Sequence, residues 1–397
     1  MKDCSDGPEW LRQLTKDELE FTAAVRLICD HGLAEADTSS EETGPESKGY
    51  SMHGCVHSWT IHALNHGWNL QMVKIAIDCI GSHIPGPEVR HSSILQRRLL
   101  GHAAKCCKFI LKGIIDIEGI EWALNKLGIL YRDQGKLDLA EQMYNRALRG
   151  HEKAVGLEHT GTLRIVNNLG EVYQDQGKLE LAEQIYNQAL RGREKVLGPD
   201  HAKTLKTVND LGLLYADQGK LDAAEQMHER ALQGTEKALG PDHSQTLAIV
   251  HSLGELFKKK GNIEIAEQMY QRAMHGFEKA LHSEHTSTLR VVNSFGELCM
   301  EQDRLAEAGQ MFERALQGYE RALGPGHLYT LKIVSNLGRL ATKQRKLKEA
   351  DQRYQQALQG FEKSLGILQA KSYIPVLDTL ENIGQLYAST GRLEQAR

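Results

Sequence analysis

Along most of this chain the apolar positions recur three and four residues apart, the spacing of amphipathic helices, and the whole pattern repeats as a unit. The phrase EQMYNRALRG at 141–150 returns as EQIYNQALRG at 183–192 and EQMHERALQG at 225–234. It returns again as EQMYQRAMHG at 267–276, GQMFERALQG at 309–318 and DQRYQQALQG at 351–360, each copy 42 residues after the last. A second phrase keeps the same step at Leu127-Gly128, Leu169-Gly170, Leu211-Gly212, Leu253-Gly254, Phe295-Gly296 and Leu337-Gly338. A seventh, Ile383-Gly384, arrives 46 residues later, so about four residues are inserted near Pro375. A period of this size marks units that cannot bury their apolar faces alone and stack on their neighbours.

One unit, 199–240, predicts its own hairpin. Gly198-Pro199-Asp200 stops the preceding helix, since glycine suits the left-handed residue and proline cannot continue. Thr204 to Ala216 gives a first helix with Leu205, Val208, Leu211 and Tyr215 on one stripe. Gly219-Lys220 turns the chain, and Leu221 to Leu239 gives a second helix burying Leu221, Ala224, Met227, Ala231 and Leu232. Small residues stand where the two helices come close, at Gly212, Ala224 and Ala231.

These positions carry a resemblance. Leu169, Gly170, Tyr173, Ala182, Tyr186 and Ala189 match the tetratricopeptide signature, whose usual period is about 34 residues. The longer unit and its link, Leu-Gly-Pro-Asp-His-x-x-Thr-Leu, closely resemble the kinesin light chain type of repeat. The resemblance implies an all-α fold over 121–397, a right-handed α-solenoid of helix hairpins with six full repeats and a truncated seventh. It also implies a groove lined by the first helix of each pair.

Residues 1–120 read differently. Apolar spacing predicts two short helices over 10–33, ending at Gly32, then a polar loop at 37–49. An amphipathic helix follows on Leu70, Val73, Ile77 and Ile80, and another runs from Ile94 to Leu111. The segment FTAAVRLICDHGLAEAD, a loop and YSMHGCVHSW resemble the winged-helix end of the NB-ARC module in fungal NLR-like (STAND) proteins. In that family a Met-His-Asp motif closes a nucleotide site; Met52 and His53 match it, with Gly54 where the family often has Asp. The chain carries no GxxxxGK[ST] loop to hold phosphates, so no nucleotide cofactor is expected. The expected organisation is a winged-helix-like region at 1–66, a helical spacer at 67–120 and the repeat array at 121–397.

Composition narrows the function classes. Net charge is −4, leaving no global positive field to attract nucleic acid or anionic membrane, and neither partner is expected. Seven cysteines without a CxxC pair point to a reduced, cytoplasmic protein. No apolar run is long enough to cross a membrane. His53 and His57, and His62 and His66, lie four apart around Cys55, a spacing that can bind zinc but also arises on ordinary helices, and no metal is assigned.

Within the array, three residues before each Leu-Gly glycine stand Asn125, Asn167, Asn209, His251, Asn293 and Ser335, a position that faces the groove in the family. An asparagine amide both donates and accepts, so such a row can pair with the backbone of an extended peptide. The competing reading keeps these amides bonded within the scaffold. Three residues earlier come Arg164, Lys206, Arg290 and Lys332, a basic row suited to acidic side chains of a ligand, with Glu171, Glu255 and Glu297 beside it. These ten polar and basic positions are the candidate partner-binding residues. The glycines at 150, 192, 234, 276, 318 and 360 fall inside second helices, where each costs about 1 kcal/mol against alanine, and so mark close helix contact. His159, His201, His243, His285 and His327 recur in every link and read as caps or turn contacts, not catalytic groups.

The expected function is non-enzymatic binding of a peptide or partner protein in the groove, with no cofactor. By resemblance the chain is the sensor arm of a fungal NLR-like protein, its last residues, GRLEQAR, opening a further helix. A kinesin light chain-like cargo adapter calls for a heptad coiled coil ahead of the repeats, which 1–120 does not show. A signalling NTPase fragment is the other alternative, and nucleotide titration separates it.

Overall fold

The computed structural model describes residues 34–36, 50–52, 70–84, 92–366, 370 and 373–389. The chain divides into two units, Met1–Asp78 and Cys79–Arg397. In the first unit β1 (Ala34–Ala36) pairs antiparallel with β2 (Tyr50–Met52), placing Ala34 opposite Met52. Strands of three residues are too short to show alternation, and AEA favours helix by local preference, so long-range pairing alone defines them. The helices expected over 10–33, the loop at 37–49 and the histidines from His53 to His66 lie outside the described residues. Helix α1 (Leu70–His83) carries the division between the units, and α2 (Ser92–Leu111) follows it.

The rest is helical, as the all-α expectation requires. Six hairpins follow one another: α3 (Glu121–Asp133) with α4 (Leu137–Val155), α5 (Thr160–Asp175) with α6 (Leu179–Leu197), and α7 (Ala202–Asp217) with α8 (Leu221–Leu239). Then come α9 (Ser244–Lys259) with α10 (Ile263–Ala280), α11 (Thr286–Glu301) with α12 (Leu305–Leu323), and α13 (Leu328–Lys343) with α14 (Leu347–Leu365). Helix α15 (Ile374–Ser389) occupies the place of a seventh first helix. Each second helix packs on the first helix of the next hairpin, which makes the array an α-solenoid.

The link motif explains where each first helix begins. His159, His201, His243, His285 and His327 are N-caps in extended backbone, each accepting on Nδ1 the N–H two residues on. The threonine three residues after each histidine is fully buried and donates its hydroxyl back across the link, as from Thr246 to the Gly240 carbonyl at 2.8 Å. The histidines are therefore structural. They satisfy an orphan donor that every helix start leaves open.

Two reciprocal contacts lock each hairpin. A Cβ added at Gly276, in α10, would lie 2.4 Å from Leu247 Cδ2 of α9, so only glycine admits that leucine. In return Gly254, in α9, receives the Tyr270 ring, with an added Cβ 2.7 Å from Cε1. Two hairpins depart from this pattern: in the first, Glu121 takes the leucine's place against Gly150, and in the third, His228 replaces the ring; Leu221, Met227 and Leu232, expected in the core, are half-buried.

Candidate partner-binding groove

A cavity of about 750 Å³ runs along the first helices from α3 to α11. Its walls carry Arg132, Glu171, Lys206, Leu213, Glu255 and Arg290, among others. A smaller one of about 180 Å³ continues it between α9, α11 and α13. The first helices face this hollow because their other faces are spent on the hairpin partner and the next repeat.

Asn209, His251 and Asn293 reach the wall of the hollow, but the row is largely spent on the scaffold. Asn125 and Asn167 are 2% and 1% exposed, and His251, Asn293 and Ser335 are also buried. Each bonds forward to the following repeat. Asn168 donates to Asn125 Oδ1 at 3.1 Å, and Asn167 donates to Asp210 Oδ2 at 2.9 Å. His251 Nε2 meets Ser294 Oγ at 3.0 Å, Asn336 donates to Asn293 Oδ1 at 2.8 Å, and Ser335 meets Thr379 at 2.9 Å. This is a polar ladder that ties repeat to repeat; Asn125 enters it through its oxygen, and the Asn167 and Asn293 amides are also held by Glu171 and Glu297. Asn209 alone of the six is half-buried, with its Oδ1 3.0 Å from His228 Nδ1.

The basic row does reach solvent. Arg164, Lys206, Arg290 and Lys332 are all exposed. Lys206 is neutralised by Glu171 at 2.6 Å and Asp210 at 2.9 Å. Arg132, which sequence reasoning passed over, bonds Glu171 and also Asp175 at 2.7 Å. Burial opposes the Glu171 charge, but Lys206 and Arg132 beside it hold its carboxyl down to about 2. Lys258 likewise lies between Glu255 and Glu297, at 3.2 and 3.3 Å. Among the described residues Arg164, Arg290 and Lys332 make no ion pair within 4.0 Å, although the Lys332 charge still acts on Glu297 and helps hold its carboxyl down against burial.

Beside Arg290 and Lys332 lies an aromatic pair, with a similar one at Phe361 and Tyr373 on the following link. Tyr329 is 54% exposed and stacks on buried Tyr319, centroids 6.0 Å apart. Its counterparts are Gly161, Lys203, Gln245 and Ser287. Arg193, another position where the copies differ, is buried and donates to Asn167 Oδ1, the Lys203 carbonyl and Thr207 Oγ1. The signal that finds both residues is disagreement between copies, since what all copies share is scaffold.

The tetratricopeptide repeat family model matches residues 119–195, 161–237, 204–279 and 287–363. No curated protein sequence matches the chain. Among solved structures, a Rap protein complexed with Competence and Sporulation Factor is 13% identical with a TM-score of 0.54, over 86% of this chain and 92% of that one. The apo form of RapI is 14% identical with a TM-score of 0.50, over 68% of this chain and 92% of its own. Repeats of a kinesin light chain from Podosopora anserina are 21% identical with a TM-score of 0.39, over 50% of this chain and 94% of that one. Likeness at these identities is likeness of fold.

Proposed function

This chain belongs to the tetratricopeptide repeat family, and from that premise we propose that it is a non-enzymatic scaffold binding an extended segment of a partner protein in its groove. The observation that carries the reading is the unequal charge state of the groove. Lys206, Arg132 and Lys258 are neutralised by carboxylates in place, while among the described residues Arg290 and Lys332, beside exposed Tyr329, make no ion pair within 4.0 Å. A segment with acidic side chains next to a flat or apolar one suits that end of the hollow. The Rap structure, a complex with Competence and Sporulation Factor, supports a solenoid of this fold holding another molecule. Nothing in the reading calls for a cofactor, a nucleic acid or a membrane, and the expected location stays cytoplasmic.

Two finer assignments go with it. Residues 1–66 as a winged-helix-like module, with the β1–β2 pair as its wing, would make the chain the sensor arm of an NLR-like signalling protein. The Leu-Gly-Pro-Asp-His link favours instead a kinesin light chain-like cargo adapter. Both need the same groove.

Selection of displayed random peptides on the full chain tests the reading. Enriched peptides are expected to be acidic and to lose at least roughly tenfold in affinity on Arg290→Glu/Lys332→Glu, about 1.4 kcal/mol, at unchanged melting temperature. Peptides that bind the double variant as well as the native chain would remove the groove from the account.

A further inference from the structure

A solenoid's repeats ordinarily touch only their sequence neighbours, and its curvature is then free to flex. Here two contacts bridge the array. Helix α2 packs against α12, although the two are separated by the first four hairpins. The turn of the first repeat does the same at a single residue. Gly135 has φ 70°, and a Cβ added there would lie 2.6 Å from Leu365 Cδ2 and 2.8 Å from Leu328 Cδ1, both of the sixth repeat. The same turn in the next three repeats, at Gly177, Gly219 and Gly261, meets open space.

The sequence departs from its own repeat at these places. Leu328 stands where the other first helices begin with Thr160, Ala202, Ser244 and Thr286. Leu323, at the end of α12, and Leu365 are buried, whereas Val155 is exposed and Leu197, Leu239 and Leu281 are half-buried. Tyr373, on the link into α15, has its phenol's pKa raised by burial and by the charges of Tyr329 and of Asp175 from the second repeat. Burial of the link-end leucine, and a large apolar residue at the start of the first helix, thus occur where one edge of the array meets the other and not in the repeats between.

We propose that the Gly135 turn and the Leu328–Leu365 pair form a clasp that closes the array on itself. The clasp fixes the width of the hollow, and the hollow opens by parting at this seam. It goes beyond the binding reading and holds or fails independently of any partner. The contact is apolar and lies at the edge, so it separates without breaking the polar ladder between neighbours.

The test compares two substitutions of equal backbone cost. Gly135 and Gly177 have φ 70° and 73°, and this turn accepts arginine at Arg345 with φ 59°. Small-angle scattering of the full chain should show a larger radius of gyration and maximum dimension for Gly135→Arg, and the native profile for Gly177→Arg. Leu328→Ser, which restores the residue type of Ser244, should expand the chain in the same way at unchanged helicity. If Gly135→Arg does not fold, Leu328→Ser decides alone. Native dimensions for Leu328→Ser, or equal dimensions for the two arginine variants, would overturn the clasp.

Discussion

Asn167 shows how a groove position becomes scaffold. Its amide donates to Asp210 at 2.9 Å and to Glu171 at 3.2 Å, while its oxygen accepts from Thr207 at 2.9 Å and from Arg193 at 3.2 Å. All four bonds are made, so no donor or acceptor is left for a ligand. Truncation would break all four bonds and take one acceptor from buried Thr207 and from the Arg193 guanidinium, whose pKa is already lowered by burial and which keeps the Lys203 carbonyl and Thr207. Asn167→Ala should therefore lower unfolding free energy by on the order of 2 kcal/mol in denaturant titration, with peptide affinity per folded molecule unchanged. A variant of native stability with weakened binding would return the asparagine row to the ligand. What the sequence could not convey was direction: position three before glycine is inward-facing either way, and only the distance to the next repeat tells which partner takes the amide.

At the scale of the hairpin, nearly everything was legible. The Leu-Gly step, the second-helix glycines and the link histidines each map onto a contact or cap found in the structure, because a residue copied five or six times reports the geometry that its copies share. His228 is the departure with a measurable consequence. It is buried at the interface of α7 and α8, its Nε2 without a hydrogen-bond partner among the described residues, and burial holds its pKa down to about 4 from the ordinary 6.5. The unfolded chain therefore takes up the proton first as pH falls below 6.5, and the folded form loses relative stability until it too is protonated near 4. Glu171 and Glu255, held down to about 2, add their own loss only below the ordinary carboxylate value of 4.5. Between pH 6.5 and 4.5 buried His251, held down to about 3, and His151 act in the same direction, and one group shifted like His228 contributes roughly 2–3 kcal/mol. His228→Tyr, matching Tyr186 and Tyr270, should flatten the pH dependence of unfolding free energy across that window by about one proton. An unchanged slope would mean His228 is not neutral in the fold.

For the molecule as a whole, the array was readable from the sequence and its curvature was not. Periodicity fixes which helix packs on which, since each unit repeats its neighbour's contacts, but the small rotation between units accumulates over several repeats before Gly135 can meet Leu328 and Leu365. The β1–β2 pair escaped for a related reason, as pairing across fourteen residues leaves little trace in two three-residue segments. The residues of the proposed binding site stand out by the same irregularities. Tyr329, Arg290 and Lys332 are conspicuous only against the repeats that lack one or another of them.

The groove as the binding face is tested most directly by photo-crosslinking. A benzophenone amino acid is placed at Leu213 or Tyr329, which line the hollow, or at Val196 or Ile265, which are exposed on second helices away from it. Irradiation with a labelled peptide selected on the full chain should give adducts from Leu213 and Tyr329 and none from Val196 and Ile265. Adducts confined to Val196 and Ile265 would put the partner on the outer surface and contradict the groove.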